Sequence, residues 1–233
     1  MRLSDHIIRV LRGHTCRTLT SWRLAAAAAF GLAISAPATV SAAVFVDPVG
    51  DFLVSTYTGP QNSDLDIVSG SAIYTPDHLE LSLTLNGPIG SATATPYYLW
   101  GVNRGSGTDR LVTSGPPAIG DSSILLDTVV RFDFDGNGRV VTFASAVSPP
   151  VVTLLFTHSI SGNTVSANIP WTALPSTGFT PSEYTYVAWS RSALGSQAFI
   201  ADLAPVPEPS IWGMLAIGLA GVLGAVRRKS TAP

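Results

Sequence analysis

Residues 78–85 read His-Leu-Glu-Leu-Ser-Leu-Thr-Leu, an unbroken two-residue alternation of polar and apolar side chains. Successive side chains of an extended strand point to opposite faces, so Leu79, Leu81, Leu83 and Leu85 share one face while His78, Glu80, Ser82 and Thr84 share the other. The pattern specifies a strand with one face on a core and one toward solvent. Residues 124–134 repeat it less strictly: Ile124, Leu126, Val130, Phe132 and Phe134 fall on one parity, Asp127, Arg131 and Asp133 on the other, and Leu125 and Val129 interrupt it. Further strands are expected over 52–56, 65–74, 97–103, 139–145, 151–158, 164–169, 183–190 and 197–203. Turn residues separate them, as in Thr75-Pro76-Asp77, Asn86-Gly87-Pro88, Asp135-Gly136-Asn137-Gly138 and Ser161-Gly162-Asn163. No long amphipathic helix interrupts the series; residues 171–174, after Pro170, have room for one short turn. About ten short strands without alternating helices define an all-β chain, an antiparallel β-sandwich of jelly-roll type. No internal period points to a propeller or solenoid.

Both ends of the 233-residue chain differ from this middle. Arg2, Arg9, Arg12, Arg17 and Arg23 precede the apolar run Leu-Ala-Ala-Ala-Ala-Ala-Phe-Gly-Leu-Ala-Ile-Ser-Ala at 24–36, and small residues follow Pro37. This is the order of a secretory signal peptide, residues 1–43, with cleavage after Ala42 or Ala43. At the other end, Pro207-Glu208-Pro209 forms a stiff extended segment, since proline fixes its own φ and keeps the preceding residue out of the helical region. An uncharged run at 211–226 then ends in Arg227, Arg228 and Lys229, as expected of a transmembrane helix whose cations stay on the cytoplasmic side. The organisation is therefore a signal peptide at 1–43, a β-sandwich at 44–205 and a membrane-directed segment at 206–233. Once the ends are set aside, residues 44–205 hold five arginines, no lysine and thirteen carboxylates, a formal net charge of −8. Such a balance excludes nucleic acid as a partner of this region, because binding to phosphates needs clustered cations. Cys16, the only cysteine, lies within the signal segment, so the exported domain has no disulfide, thiol nucleophile or thiolate zinc site.

The sequence Pro207-Glu208-Pro209, the apolar run and the Arg227-Arg228-Lys229 triplet resemble the C-terminal sorting signal of PEP-CTERM proteins. The resemblance implies an exosortase as partner, transient anchoring in the inner membrane through the C-terminal helix, and final residence in the cell envelope or outside the cell. A processing enzyme would read these six residues, so they have no catalytic role in this chain. Within the sandwich, Asp47-Pro48-Val49-Gly50-Asp51, Asp64-Leu65-Asp66-Ile67 and Gly162-Asn163-Thr164 leading to Ile169-Pro170-Trp171 resemble landmarks of DOMON-like and related carbohydrate-binding sandwiches. That likeness implies a secreted ligand-binding or sugar-binding module. The domain has no methionine to pair with a histidine as heme ligands, since Met1 and Met214 lie outside it.

Two acidic groups have the composition of calcium sites. In Asp133-Phe134-Asp135-Gly136-Asn137-Gly138, oxygen ligands alternate and glycine occupies the sixth place, as at the start of a calcium loop. The ninth and twelfth places are Val141 and Ala144, which supply no side-chain oxygen, and the flanking strands also fit a plain hairpin. Asp47, Asp51, Asp64 and Asp66 form a second group if the first two strand entrances meet. Calcium, in a structural role, is the cofactor these residues would take. Aromatic clusters give the sugar-binding reading: Tyr97, Tyr98 and Trp100 precede Arg104, and Tyr184, Tyr186 and Trp189 precede Arg191. An exposed ring can pack on the C–H face of a sugar while arginine donates to its hydroxyls, which makes Tyr98, Trp100, Arg104, Trp189 and Arg191 the candidate ligand-binding residues. By alternation only one set of rings on each strand can face a ligand, and the other must line the core.

Enzyme signatures are sparse. Gly120-Asp121-Ser122 resembles the nucleophile block of one class of esterases, but it lies far from the expected N-terminal position and no late Asp-x-x-His matches it. The domain has two histidines, His78 and His158, and contains no His-Glu-x-x-His or Gly-x-Ser-x-Gly. The expected function is that of an exported envelope or extracellular-matrix protein with a non-catalytic sandwich. A carbohydrate-binding module for extracellular polysaccharide is the alternative, and a secreted glycoside hydrolase or esterase, built on paired carboxylates, the second alternative.

Overall fold

Leu79, Leu81, Leu83 and Leu85 are all fully buried, on the face of β3 (His78–Leu85) that the alternation assigns to the core. The computed structural model describes residues 42–113, 115–120, 122–145 and 147–205; the expected signal peptide up to residue 41 and the expected helix at 211–226 lie outside them. Among the described residues no helix is long and apolar enough to cross a membrane. The other strands are β1 (Ala42–Val46), β2 (Ile67–Tyr74), β4 (Tyr97–Asn103), β5 (Thr128–Asp133), β6 (Asn137–Thr142), β7 (Val151–Thr157), β8 (Ser159–Ser161), β9 (Thr164–Pro170), β10 (Thr185–Arg191) and β11 (Ile200–Pro205). One helical turn, α1 (Arg110–Thr113), lies between β4 and β5.

The strands form two antiparallel sheets, β1-β2-β3-β9-β8 and β11-β10-β4-β5-β6-β7. The leucines of β3 meet Ala43 and Phe45 of β1, Ala72 of β2 and Val165 and Ile169 of β9 on one side of the core, with Tyr98, Trp100, Val130, Phe132 and Val140 of the second sheet in the same cluster. Each large apolar side chain taken fully out of water contributes about 1.5–3 kcal/mol, so this layer is the main stabilising term of the sandwich. The outer face of the first sheet is polar, with Ser82 opposite Ser166 and a Thr84–Thr164 hydroxyl contact of 3.1 Å. The outer face of the second sheet is not. Leu99, Val129, Val187 and Trp189 are buried there with Leu111, Ile119, Leu126 and Ile200 in a second cluster, which is why the central strands of this sheet are apolar on both faces.

An all-β antiparallel sandwich is thus present, but the winding is simpler than a jelly roll, which needs two Greek keys. β1, β2 and β3 follow one another as a meander, with only the three-residue turn at 75–77 between β2 and β3. Only the second sheet has the Greek-key order, with β10 returning to lie beside β4 ahead of β5 and β6. Two other expectations change. Residues 52–56 are a turn, closed by Leu53 N–H donating to Ala201 O (2.9 Å) and Tyr57 N–H to Leu53 O (2.7 Å); Phe52 and Tyr57 stack there, while Val54 is exposed. Ser161, expected to open the Ser161-Gly162-Asn163 turn, instead ends the short edge strand β8. One residue, His158, separates it from β7, and at this point the chain changes sheets. His158 N–H donates to Gly136 O (2.9 Å) and its ring lies 5.0 Å from that of Phe132, fixing the corner.

Candidate functional site

Alternation along β4 decides the first aromatic cluster. Tyr98 and Trp100 point into the sandwich and are fully buried. Tyr98 donates its hydroxyl to Asp64 O (2.8 Å), and Trp100 meets Phe45 and Tyr186 edge-on at 6.0 and 6.2 Å. Arg104 is also buried: its Nε donates to Asp127 Oδ1 (2.8 Å) and its Nη1 to Pro175 O (2.9 Å). Asp127 further accepts from Thr177 Oγ1 (2.7 Å) and Thr128 Oγ1 (3.1 Å), so the pair is satisfied on both sides. Removing one partner of such a pair costs about 3–5 kcal/mol. Tyr98, Trp100 and Arg104, expected at a ligand-binding surface, are therefore placed in the interior, with their polar groups directed to Asp64, Asp127 and Pro175 where partners are present.

The second cluster is placed differently. Trp189 and Arg191 share the outer face of the second sheet, where Trp189 pairs with Leu99, and Leu99 with Arg131; Arg191 pairs with Tyr97, and Tyr97 with Asp133. Gly101 leaves the room this requires, because a Cβ there would lie 2.9 Å from Trp189 Cζ3 and 2.7 Å from Val187 Cγ1. Above this row lies a pocket of about 470 Å³. Leu99, Leu126, Val129, Trp189 and Ile200 supply apolar lining, and Arg110, Arg131 and Arg191 supply charge. Arg191 donates through Nε to Ala193 O (3.2 Å) and through Nη2 to Gly195 O (3.3 Å) and Ser196 O, which holds the loop at 193–196; its Nη1 has no partner among the described residues. No carboxylate of the described residues lies within salt-bridge distance of Arg191. Burial, with the Arg131 charge adding to it, holds the Arg191 guanidinium below its usual pKa. Arg131 is paired, with Nη2 donating to Asp133 Oδ2 (2.9 Å), and the Arg110 guanidinium lies 3.8 Å over the Phe143 ring. Trp189 Nε1 is a buried donor without a partner.

The Asp133-Asp135-Asn137 group is a hairpin. Asp133 is clasped by Arg131 (2.6 Å) and Arg139 (3.5 Å). Asp135, at the turn, accepts from Asn137 N and Nδ2, both at 3.0 Å, and these bonds hold its pKa below the usual value. Gly136 takes φ +85°, the left-handed conformation the turn needs. Asp133 is thus held by two arginines and Asp135 by the turn, which gives these acids a structural role in the hairpin.

The entrance aspartates separate into two roles. Asp64 is fully buried and accepts from Thr93 N (2.8 Å), Thr93 Oγ1 (2.7 Å) and Ala92 N (3.2 Å), so it anchors a loop. Asp66 accepts from Gly50 N (3.0 Å) and Asn86 Nδ2 (3.0 Å), which folds the 47–51 turn back onto β2. Asp47 and Asp51 then meet Asp202, which sequence reasoning missed: one oxygen from each of the three lies within 4.8 Å of the others. Asp202 is buried on β11, where Oδ2 accepts from Ile67 N (2.7 Å) and Oδ1 from Leu203 N (2.7 Å). Asp47 is half-buried and its Oδ2 has no partner. Burial first, then the Asp51 and Asp66 charges, pushes the Asp47 carboxyl up to about 7; burial, opposed by the Ile67 hydrogen bond and assisted by Asp47 and Asp51, pushes Asp202 up to about 7 as well. The signal for Asp202 was its isolation as the one acid in the apolar run Phe-Ile-Ala-Asp-Leu-Ala.

The fold and these groups describe an antiparallel β-sandwich with a three-carboxylate cluster where β1, β2 and β11 meet and an arginine-lined pocket on one outer face. Residues 205–229 match the model of the PEP-CTERM protein-sorting motif, so the chain carries the mark of a PEP-CTERM protein. The motif indicates export with a membrane-associated transit and processing by an exosortase. No curated protein matches the chain.

Proposed function

We propose that this is a cell-envelope or extracellular-matrix protein whose non-catalytic sandwich uses calcium as a structural ion. The observation that carries the reading is the sorting motif at 205–229, which begins at the last residue of β11, Pro205, where the closing strand of the sandwich ends. Export would then carry the folded domain to the membrane by this address, and processing would release the domain from it. Asp47, Asp51 and Asp202 supply the calcium ligands. Three carboxylates held this close while partly desolvated repel one another, and a hard divalent cation relieves that repulsion by taking one oxygen from each. A carbohydrate-binding role is the second reading, supported by the apolar pocket with its arginines. Catalysis has less support, because His78 lies on the polar face of β3 and His158 is committed to the corner through Nε2 and Asp133 O (2.8 Å).

The sorting step is tested with Glu208→Ala. The variant is expected to remain full length in the membrane fraction, whereas the surface form of the parent chain, by mass spectrometry, lacks residues 211–226. An intact C-terminus on the parent's surface form would refute the assignment.

A further inference from the structure

We propose that the pocket on the outer face of the second sheet binds an acidic sugar, a hexuronate unit of a polysaccharide, with its carboxylate on Arg191 and its C–H face along the apolar lining formed by Leu99, Val129 and Trp189. The inference rests on the carbohydrate-binding reading and adds the ligand class. Three observations lead to it independently of the sorting motif. First, residues 44–205 hold five arginines, no lysine and thirteen carboxylates, yet three of the five arginines line this one pocket. In a domain of net negative charge, cations concentrated around one cavity attract an anion to that place and away from the rest of the surface. Second, Arg191 is a cation without a carboxylate partner among the described residues, and Nη1 is unspent while Nε and Nη2 are fixed to the 193–196 loop. A guanidinium held in place by its own loop loses little freedom on binding, and a planar carboxylate is the group that matches its geometry. Third, Trp189 Nε1 is a buried donor with no partner, on a residue that lines the cavity. Trp100 Nε1 is likewise unpaired but belongs to the sandwich core, whereas Trp189 is one of the residues lining the cavity. A volume of about 470 Å³ holds one or two sugar rings. Neutral apolar ligands would leave the Arg191 charge unanswered.

The test is titration of the exported protein with trigalacturonate, with neutral galactotriose and with 1-naphthoate, followed by tryptophan fluorescence and calorimetry. Trigalacturonate is expected to bind at least ~10-fold more tightly than galactotriose, with affinity falling as salt rises. Arg191→Gln is expected to lose that preference. Because Arg191 also holds its loop, Ser196→Asp is the second variant: Ser196 Oγ accepts from Ala198 N (3.1 Å) as a helix cap, which aspartate does equally well, while its charge sits beside Arg191. Ser196→Asp should keep its melting temperature and lose at least ~10-fold in trigalacturonate affinity. Equal binding of both trisaccharides would overturn the acidic-sugar assignment while leaving carbohydrate binding standing. Binding of 1-naphthoate alone, or of none of the three, would overturn both, as would full trigalacturonate affinity in Ser196→Asp for this pocket.

Discussion

Asp47 and Asp202 show how a residue's environment sets its chemistry. Each carboxyl has an ordinary value of 3.8 and is pushed up to about 7 in the folded protein. Between those values the folded chain holds protons that the unfolded chain has lost. Stability of the calcium-free protein is therefore expected to fall as pH rises from about 4 to about 7 and to level off above that window, the opposite of a salt-bridged carboxylate. Because the two groups interact, a titration should show two steps belonging to the pair. Calcium at 100 times its dissociation constant adds ~2.7 kcal/mol, which for a domain of this size is roughly 5–10 °C in Tm. Its affinity should weaken below pH 7 as protons compete for the same oxygens. Asp47→Asn should raise the Tm of the calcium-free protein at pH 8 by about 2–4 °C, the shift made by ~1 kcal/mol, and abolish the response to calcium. Thermal melts at pH 5 and 8, with calcium and with chelator, check all of this; identical curves would reduce the cluster to an ordinary turn.

At the scale of elements, β1 bears on the processing of the N-terminus. It pairs with β2 from Ala42 opposite Ile73 to Val46 opposite Ser69, and Ala43 and Phe45 face the core. Cleavage after Ala43 would remove a buried methyl group from beside Ala72, worth ~0.8 kcal/mol by its burial alone, along with two rungs of the ladder. Cleavage after Ala42 keeps Ala43 in the core. The mature protein is expected to begin at Ala43, and N-terminal mass analysis of the exported form checks it; a start at Val44 would contradict the argument. β3, whose outer face meets water, was legible in full, because alternation there has one solution. β4 and β10 are apolar on both faces, and for such strands periodicity cannot tell which ring faces which core. That ambiguity placed Tyr98 and Trp100 among the ligand residues alongside Trp189.

For the whole molecule, charge is unevenly spread. Arg110, Arg131 and Arg191 line the pocket and Arg139 joins Arg131 at Asp133, whereas the carboxylates of 47–66 and 202 gather at another place in the sandwich. A net charge of −8 over residues 44–205 makes self-repulsion a destabilising term in the calcium-free protein. Raising sodium chloride from ~10 mM to ~1 M shortens the screening length from ~30 to ~3 Å. Tm under chelator is expected to rise by a few degrees over that range, measured at pH 8 where the cluster is ionised. A flat or falling Tm would mean that the repulsion is already compensated within the fold.

The sequence by itself determined what is local or additive. The β3 alternation needs only neighbouring side chains, the turn residues need only their own φ, the sorting motif at 205–229 is read as a linear string, and net charge is a sum. Tertiary structure alone decided which residues far apart in the chain meet. Asp202 joins Asp47 and Asp51 across more than 150 positions because β11 closes against the 47–53 turn, with Leu53 N–H on Ala201 O. Arg104 is consumed by Asp127, while Arg191, the same residue type at the same kind of strand end, is left facing a cavity. The physical reason is that a side chain's role follows from what desolvates it and what charge stands opposite, and both are supplied by the packing of one sheet and its covering loops, which no local pattern encodes.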